Sequence, residues 1–170
     1  MATRTKVKVG ILMGSDSDLP IMKECGKILE AHGIAHELKI LSAHRTPAET
    51  TRYVKGAPAR GIQVLIAGAG GAAHLAGAVA AHSVVPVIGV PLEGTIFKGT
   101  DAYLATLQMP PGVPVATVSV GKWGAKNAAY LAIQILALSD KRLNKAYQQW
   151  KKTMRAGVLA KDKKLQKNCC

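Results

Sequence analysis

Three short clusters in this chain combine residue types that carry chemistry. Gly14-Ser15-Asp16-Ser17-Asp18 places two hydroxyls and two carboxylates side by side, directly after the apolar run "VGILM". Hydroxyls and free backbone amides at the start of a helix favour an anion such as phosphate. A carboxylate instead accepts hydrogen bonds from sugar hydroxyls. A sugar phosphate offers both partners at once, with the serines serving the phosphate and a carboxylate the ribose. The competing reading is local: Ser15 or Asp16 caps the following helix and the other side chains are solvated.

Ser42-Ala43-His44-Arg45-Thr46-Pro47 forms the second cluster. The Arg45 guanidinium is a fork suited to phosphate. An imidazole ordinarily titrates near neutrality, so His44 suits a step that donates a proton and later recovers one. Here too a helix cap beside a surface arginine is the alternative. The third cluster is "AGAGGAAHLAG", residues 67–77, whose Gly68, Gly70 and Gly71 let backbone approach a ligand closely. It is not a dinucleotide fingerprint: Ala73 stands where the third glycine belongs. His74, in the first turn of the next helix, suits ligand contact or a capping role. His32, His36 and His82 are read as structural or surface residues.

Each cluster ends a predicted strand. "VKVGILMG" (7–14), "HELKILSA" (36–43), "IQVLIAGAG" (62–70), "VPVIGVP" (85–91) and "VPVATVSV" (113–120) read as five strands. Between them lie helices from Pro20 to Ala31, Pro47 to about Tyr53, and residues 72–82. A last helix is expected from about Asn127 to beyond Trp150. Apolar strands interleaved with helices predict a central parallel sheet covered on both faces, a flavodoxin-like three-layer α/β sandwich with a long C-terminal helix. Such sheets bind ligands at the carboxyl ends of their strands, where all three clusters fall.

At 170 residues the chain suits a single domain. We read residues 1–155 as the catalytic domain and 156–170 as a basic tail. The formal charge is +13, but residues 141–170 hold ten Lys or Arg against Asp162 alone, so that segment carries +9 of it. No nucleic-acid module accompanies this charge, so nucleic acid is not expected as a partner. A solvated helix is the reading, with contact to a polyanion as the alternative. Cys25, Cys169 and Cys170 lack metal-ligand spacing and suggest free thiols in a reducing compartment. With neither an apolar leader nor a run of about 18 apolar residues, a cytoplasmic location and no membrane contact are expected. The Ala-rich stretch 125–138 suits close packing against a neighbouring chain.

"GSDSDLP", "SAHRTP", "AGAGGAAHL" and "LQMPPGVPVATV", in this order, resemble the motifs of the bacterial and fungal 5-(carboxyamino)imidazole ribonucleotide mutases. The resemblance covers roughly residues 7–140. It implies a flavodoxin-like fold, a homo-octamer, no metal or organic cofactor, and an isomerase of purine (IMP) biosynthesis that turns a carbamate into a ring carboxylate. Carried onto matching positions, it implies that His44 is catalytic and that Ser15, Asp18 and Arg45 bind the ribonucleotide. Ser17 and Ser42 lie within the same motifs. The segment Gly68, Ala69, Gly70, Gly71, Ala72, Ala73, His74 and Leu75 would line the carboxylate and imidazole site. Related animal-type carboxylases, which use free carbon dioxide, typically carry Lys after the shared His and lack the Gly-Gly-Ala-Ala-His-Leu run. Arg45 and residues 70–75 follow the mutase form instead. The chain departs from the family after "PLEGT": residues 101–107 read Asp-Ala-Tyr-Leu-Ala-Thr-Leu, with alanines at two positions usually serine.

Overall fold

The computed structural model describes residues 6–168, so the thiols of Cys169 and Cys170 lie outside the described residues. Strand β1 (Val9–Met13) leads through one 3-10 turn (Asp16–Asp18) into helix α1 (Leu19–Ala31). Then follow β2 (His36–Ile40), α2 (Pro47–Lys55), the short α3 (Ala57–Arg60), β3 (Val64–Gly70) and α4 (His74–His82). The chain continues with β4 (Val87–Leu92), α5 (Thr100–Leu107), β5 (Ala116–Thr117), α6 (Gly121–Ala137) and α7 (Lys141–Asn168).

All strand pairs are parallel and the order is β2-β1-β3-β4-β5, the flavodoxin-like arrangement expected. β1 is where the order reverses, with β2 on one side and β3 on the other. Every residue of β1 and β4 is buried, which explains their unbroken apolar character. On one face Met22, Cys25 and Leu29 of α1 pack with the alanines and Ile133 of α6 against Val9, Ile11, Val64 and Ile66. On the other, Val54, Ala57, Leu75, Ala76 and Val79 cover Leu12, Leu65 and Ala67.

Several expectations need correction. The long last helix is two helices. Asp140 caps the second, its Oδ1 accepting the amides of Arg142 and Leu143, both at 2.9 Å, so the chain turns at residues 138–140. The first of the two begins at Gly121, ahead of the Asn127 expected. An additional helix, α5, fills the stretch between β4 and β5, its buried Ala102 and Thr106 facing the sheet. Finally, Ala125, Ala128, Ala129 and Ala132 are fully buried within this chain, where small side chains let α6 approach α1 and the sheet. They offer no surface to a neighbour. Strand β5 is also far shorter than the eight residues expected, as befits an exposed edge.

Candidate active site

The turn after β1 folds on itself. Ser15 accepts the Ser17 amide at 3.4 Å through Oγ, while Asp18 Oδ2 accepts the Ser15 amide at 3.1 Å. This reciprocal pairing is a capping box. Asp16 Oδ1 takes the Ser15 hydroxyl and the Ser17 amide, each at 3.0 Å. The local capping role is thus realised, yet Ser15, Ser17 and Asp18 also border a cavity of about 430 Å³. Partial burial raises the Asp18 carboxyl above its ordinary value, against the pull of two backbone amides and the Arg45 guanidinium.

The turn after β2 is tied to its own helix by Thr46, whose Oγ accepts the Ser42 amide at 2.9 Å and donates to the Ser42 carbonyl at 3.1 Å. Ser42 Oγ accepts the Arg45 amide at 3.2 Å. The Arg45 guanidinium then crosses to the first turn and donates to the Gly14 carbonyl. Its Nε also donates to Ser42 Oγ at 3.5 Å, so one side chain joins two strand ends while lining the cavity.

The turn after β3 reaches the same place. Gly71 sits at φ +61° and Ala73 at φ 46°, so two left-handed residues swing the chain sharply before α4 begins. That swing brings His74, in the first turn of α4, to His44: Nε2 of His44 lies 2.7 Å from Nδ1 of His74, with the rings nearly perpendicular. At this distance one ring nitrogen donates and the other accepts. Both rings are exposed to the cavity side of the molecule.

Of the residues singled out from sequence, Ser15, Ser17, Asp18, Ser42, His44, Arg45, Ala69, Gly70, Gly71, His74 and Leu75 line this one cavity. Gly68 and Ala72 do not. Gly68 faces α1, where a Cβ would lie 2.4 Å from Met22 Sδ, so its lack of a side chain serves strand–helix packing. Ala72 is exposed at the turn. Three lining residues were not anticipated: Glu93, Gly94 and Thr95, at the carboxyl end of β4. The strand-end rule applied to the fourth strand would have found them. Thr95 donates to Asp101 Oδ2 at 2.6 Å, which anchors the β4 loop to α5 and holds the Asp101 carboxyl below its ordinary value. His32, His36 and His82 all lie away from the cavity.

The cavity thus presents one guanidinium, two carboxylates, three serine hydroxyls, a hydrogen-bonded imidazole pair and a small apolar wall. Among the described residues no group of three His, Cys, Asp or Glu is placed to hold a metal ion, and no helix is long and apolar enough to cross a membrane.

The chain matches known proteins over most of its length. Residues 8–157 match the family model described as AIR carboxylase. An N5-carboxyaminoimidazole ribonucleotide mutase from Pyrococcus abyssi is 51% identical over 148 residues, 87% of this chain and 84% of the relative. One from Escherichia coli K12 is 45% identical over 152 residues, covering 89% and 90% of the two chains. A crystal structure of Treponema denticola PurE superposes with a TM-score of 0.84 at 31% identity, covering 92% of this chain and 97% of that one.

Proposed function

The chain belongs to the AIR carboxylase family, and we infer from that membership that it is an isomerase of purine biosynthesis. It converts N5-carboxyaminoimidazole ribonucleotide into 4-carboxy-5-aminoimidazole ribonucleotide. The carboxylate moves from the exocyclic nitrogen to ring carbon four.

The residue roles follow from the cavity. Arg45, Ser15 and Ser17 hold the phosphate, with the free N–H groups of the guanidinium as its main partners. Asp18 accepts the ribose hydroxyls. The carbamate N–C bond breaks, carbon dioxide leaves, and the exocyclic nitrogen takes a proton from His44. Ring carbon four then attacks the retained carbon dioxide, and its proton returns to His44, which closes the cycle with no net gain or loss of protons. Carbon dioxide carries no charge to grip, so its retention needs a tight, water-poor wall, supplied by Ala69, Gly70, Gly71 and Leu75. The observation that carries the reading is the His44–His74 hydrogen bond beside Arg45. It sets a second ring nitrogen within hydrogen-bond reach of the shuttle, a further resting place for the transferred proton.

The catalytic unit comprises residues 1–155, with 156–170 as a basic appendage, and the protein works in the cytoplasm as a homo-octamer. Supporting an assembly, Ile96 is 88% exposed and Phe97 61% exposed beside the cavity-lining Thr95, an apolar rim that a second chain would cover.

An absorbance assay with the carbamate substrate, run with and without bicarbonate, tests the function. Turnover of the carbamate that is indifferent to bicarbonate is expected. Activity only on aminoimidazole ribonucleotide, rising with bicarbonate, would instead mark a carboxylase using free carbon dioxide. His44→Asn should lower kcat by about 10²–10⁴-fold with KM within threefold; near-normal turnover removes the role assigned to His44.

A further inference from the structure

A second cavity lies at the opposite edge of the sheet and is the larger of the two, about 670 Å³ against about 430 Å³. Its floor is the run of residues entering β1, β2 and β3, and its walls are the ends of α1 and α6 and the start of α7. Nothing in the isomerase chemistry uses it. Four cations border it: Lys6, Lys8, Lys141 and Arg142. The one acid there, Asp140, is occupied with the first amides of α7. None of the four cations forms an ion pair among the described residues.

Charge at this edge has a partial structural explanation. The carboxyl ends of α1 and α6 each carry roughly half a negative charge, and the start of α7 roughly half a positive one. Setting these and Asp140 against four cations still leaves a net of about +2 to +3 around a concave space. Like charges gathered in a concavity in excess of the acid there raise each other's energy, and an anion relieves it. The volume falls within the range of about 300–1,000 Å³ typical of small-molecule sites. His32 forms part of the wall, backed by Tyr130, Tyr147 and Trp150 with ring centroids 6.0, 6.4 and 6.0 Å away. A rigid aromatic wall beside a cationic rim suits a ligand with a flat ring and several negative charges.

We propose that this cavity binds a polyphosphate ligand of nucleotide size, separately from the ribonucleotide held at the catalytic edge. Lys8 from the floor and Arg142 from the α7 wall hold the phosphates, and the His32 wall takes the ring. Helix α1 runs from Leu19, beside the catalytic turn, to Ala31, beside His32, so a single rigid element borders both sites.

Calorimetric titration of the full chain with ATP and, separately, with inorganic tripolyphosphate tests this at physiological salt. Saturable binding of one ligand per chain is expected. ATP binding more tightly than tripolyphosphate assigns the wall to the ring, while equal affinity overturns that part of the assignment. Arg142→Ala, at an exposed position, should weaken binding at least tenfold, as should Lys8→Ala. Trp150 emission, isolated in a Trp123→Phe background, should change on saturation. Arg45→Ala and the pair Lys163→Ala and Lys164→Ala should leave the affinity within twofold. Absence of saturable binding overturns the proposal. So does loss of binding in Arg45→Ala, which would place the ligand in the catalytic cavity. Equal loss in the Lys163/Lys164 variant would reduce the effect to diffuse attraction by the basic helix and also overturn it.

Discussion

Gly68→Ala separates two roles for the glycine-rich strand end. A Cβ built at Gly68 meets Met22 Sδ at 2.4 Å, Cε at 2.9 Å and Cγ at 3.2 Å. Comfortable contact between such atoms needs about 3.5–4.0 Å, so the thioether must retreat by more than about 1 Å. Met22 is fully buried among Met13, Cys25 and Val90, all at 0–1% exposure, so its displacement disturbs packed neighbours. Methionine's flexibility softens the clash without removing it. Overpacking of this kind costs about 2 kcal/mol, which for a chain of this length lowers Tm by roughly 4–8 °C. Scanning calorimetry at fixed protein concentration reads the stability, and steady-state kinetics at a temperature where the variant is folded read the site. We expect the lower Tm with kcat and KM both within twofold of the parent. Combining it with Met22→Ala should cost at least 1 kcal/mol less than the two changes summed, because the new methyl enters the space vacated. An unchanged Tm with a raised KM would refute the reasoning and return Gly68 to direct ligand contact.

Arg45→Ala should raise KM about tenfold or more while changing kcat less, since the guanidinium is the cation on the cavity wall and takes no part in proton transfer; an unchanged KM would count against its phosphate role. The Asp18 carboxyl is raised above 3.8 in the folded protein, so the native state holds its proton longer than the unfolded chain. Stability should therefore fall as pH rises through the window above 3.8, and Asp18→Asn should flatten that fall in Tm–pH profiles. Burial pushes the Cys25 thiol up to about 12, so a native thiol titration at pH 8 should leave it unreacted and unfolding should release it. Three fast-reacting thiols in the native protein would contradict the fold at α1.

Long apolar runs made β1, β3 and β4 legible, because strands buried on both faces must be apolar throughout. Helix α5 escaped notice because it is eight residues long and buries only Ala102 and Thr106, too little to set a period. The break before α7 was hidden by Leu136-Ala137-Leu138, which continues the helical pattern across the boundary; only the capping by Asp140 reveals the stop. The alanines of α6 looked like an interface because sequence shows that a surface is small, and never which partner it meets.

At the site, chemistry was readable and geometry was not. Residue types and their positions after successive strands determined that hydroxyls, a guanidinium and an imidazole would gather at one edge of a parallel sheet, since that edge is where βα turns emerge. Only the folded chain decided that His74 meets His44 across 30 residues of sequence and that Arg45 ties the second turn to Gly14. Those pairings depend on the strand order, in which β1 lies between β2 and β3, and on two left-handed residues at 71 and 73. Neither is encoded in any local window, because both arise from how distant segments settle against one another in the shared core.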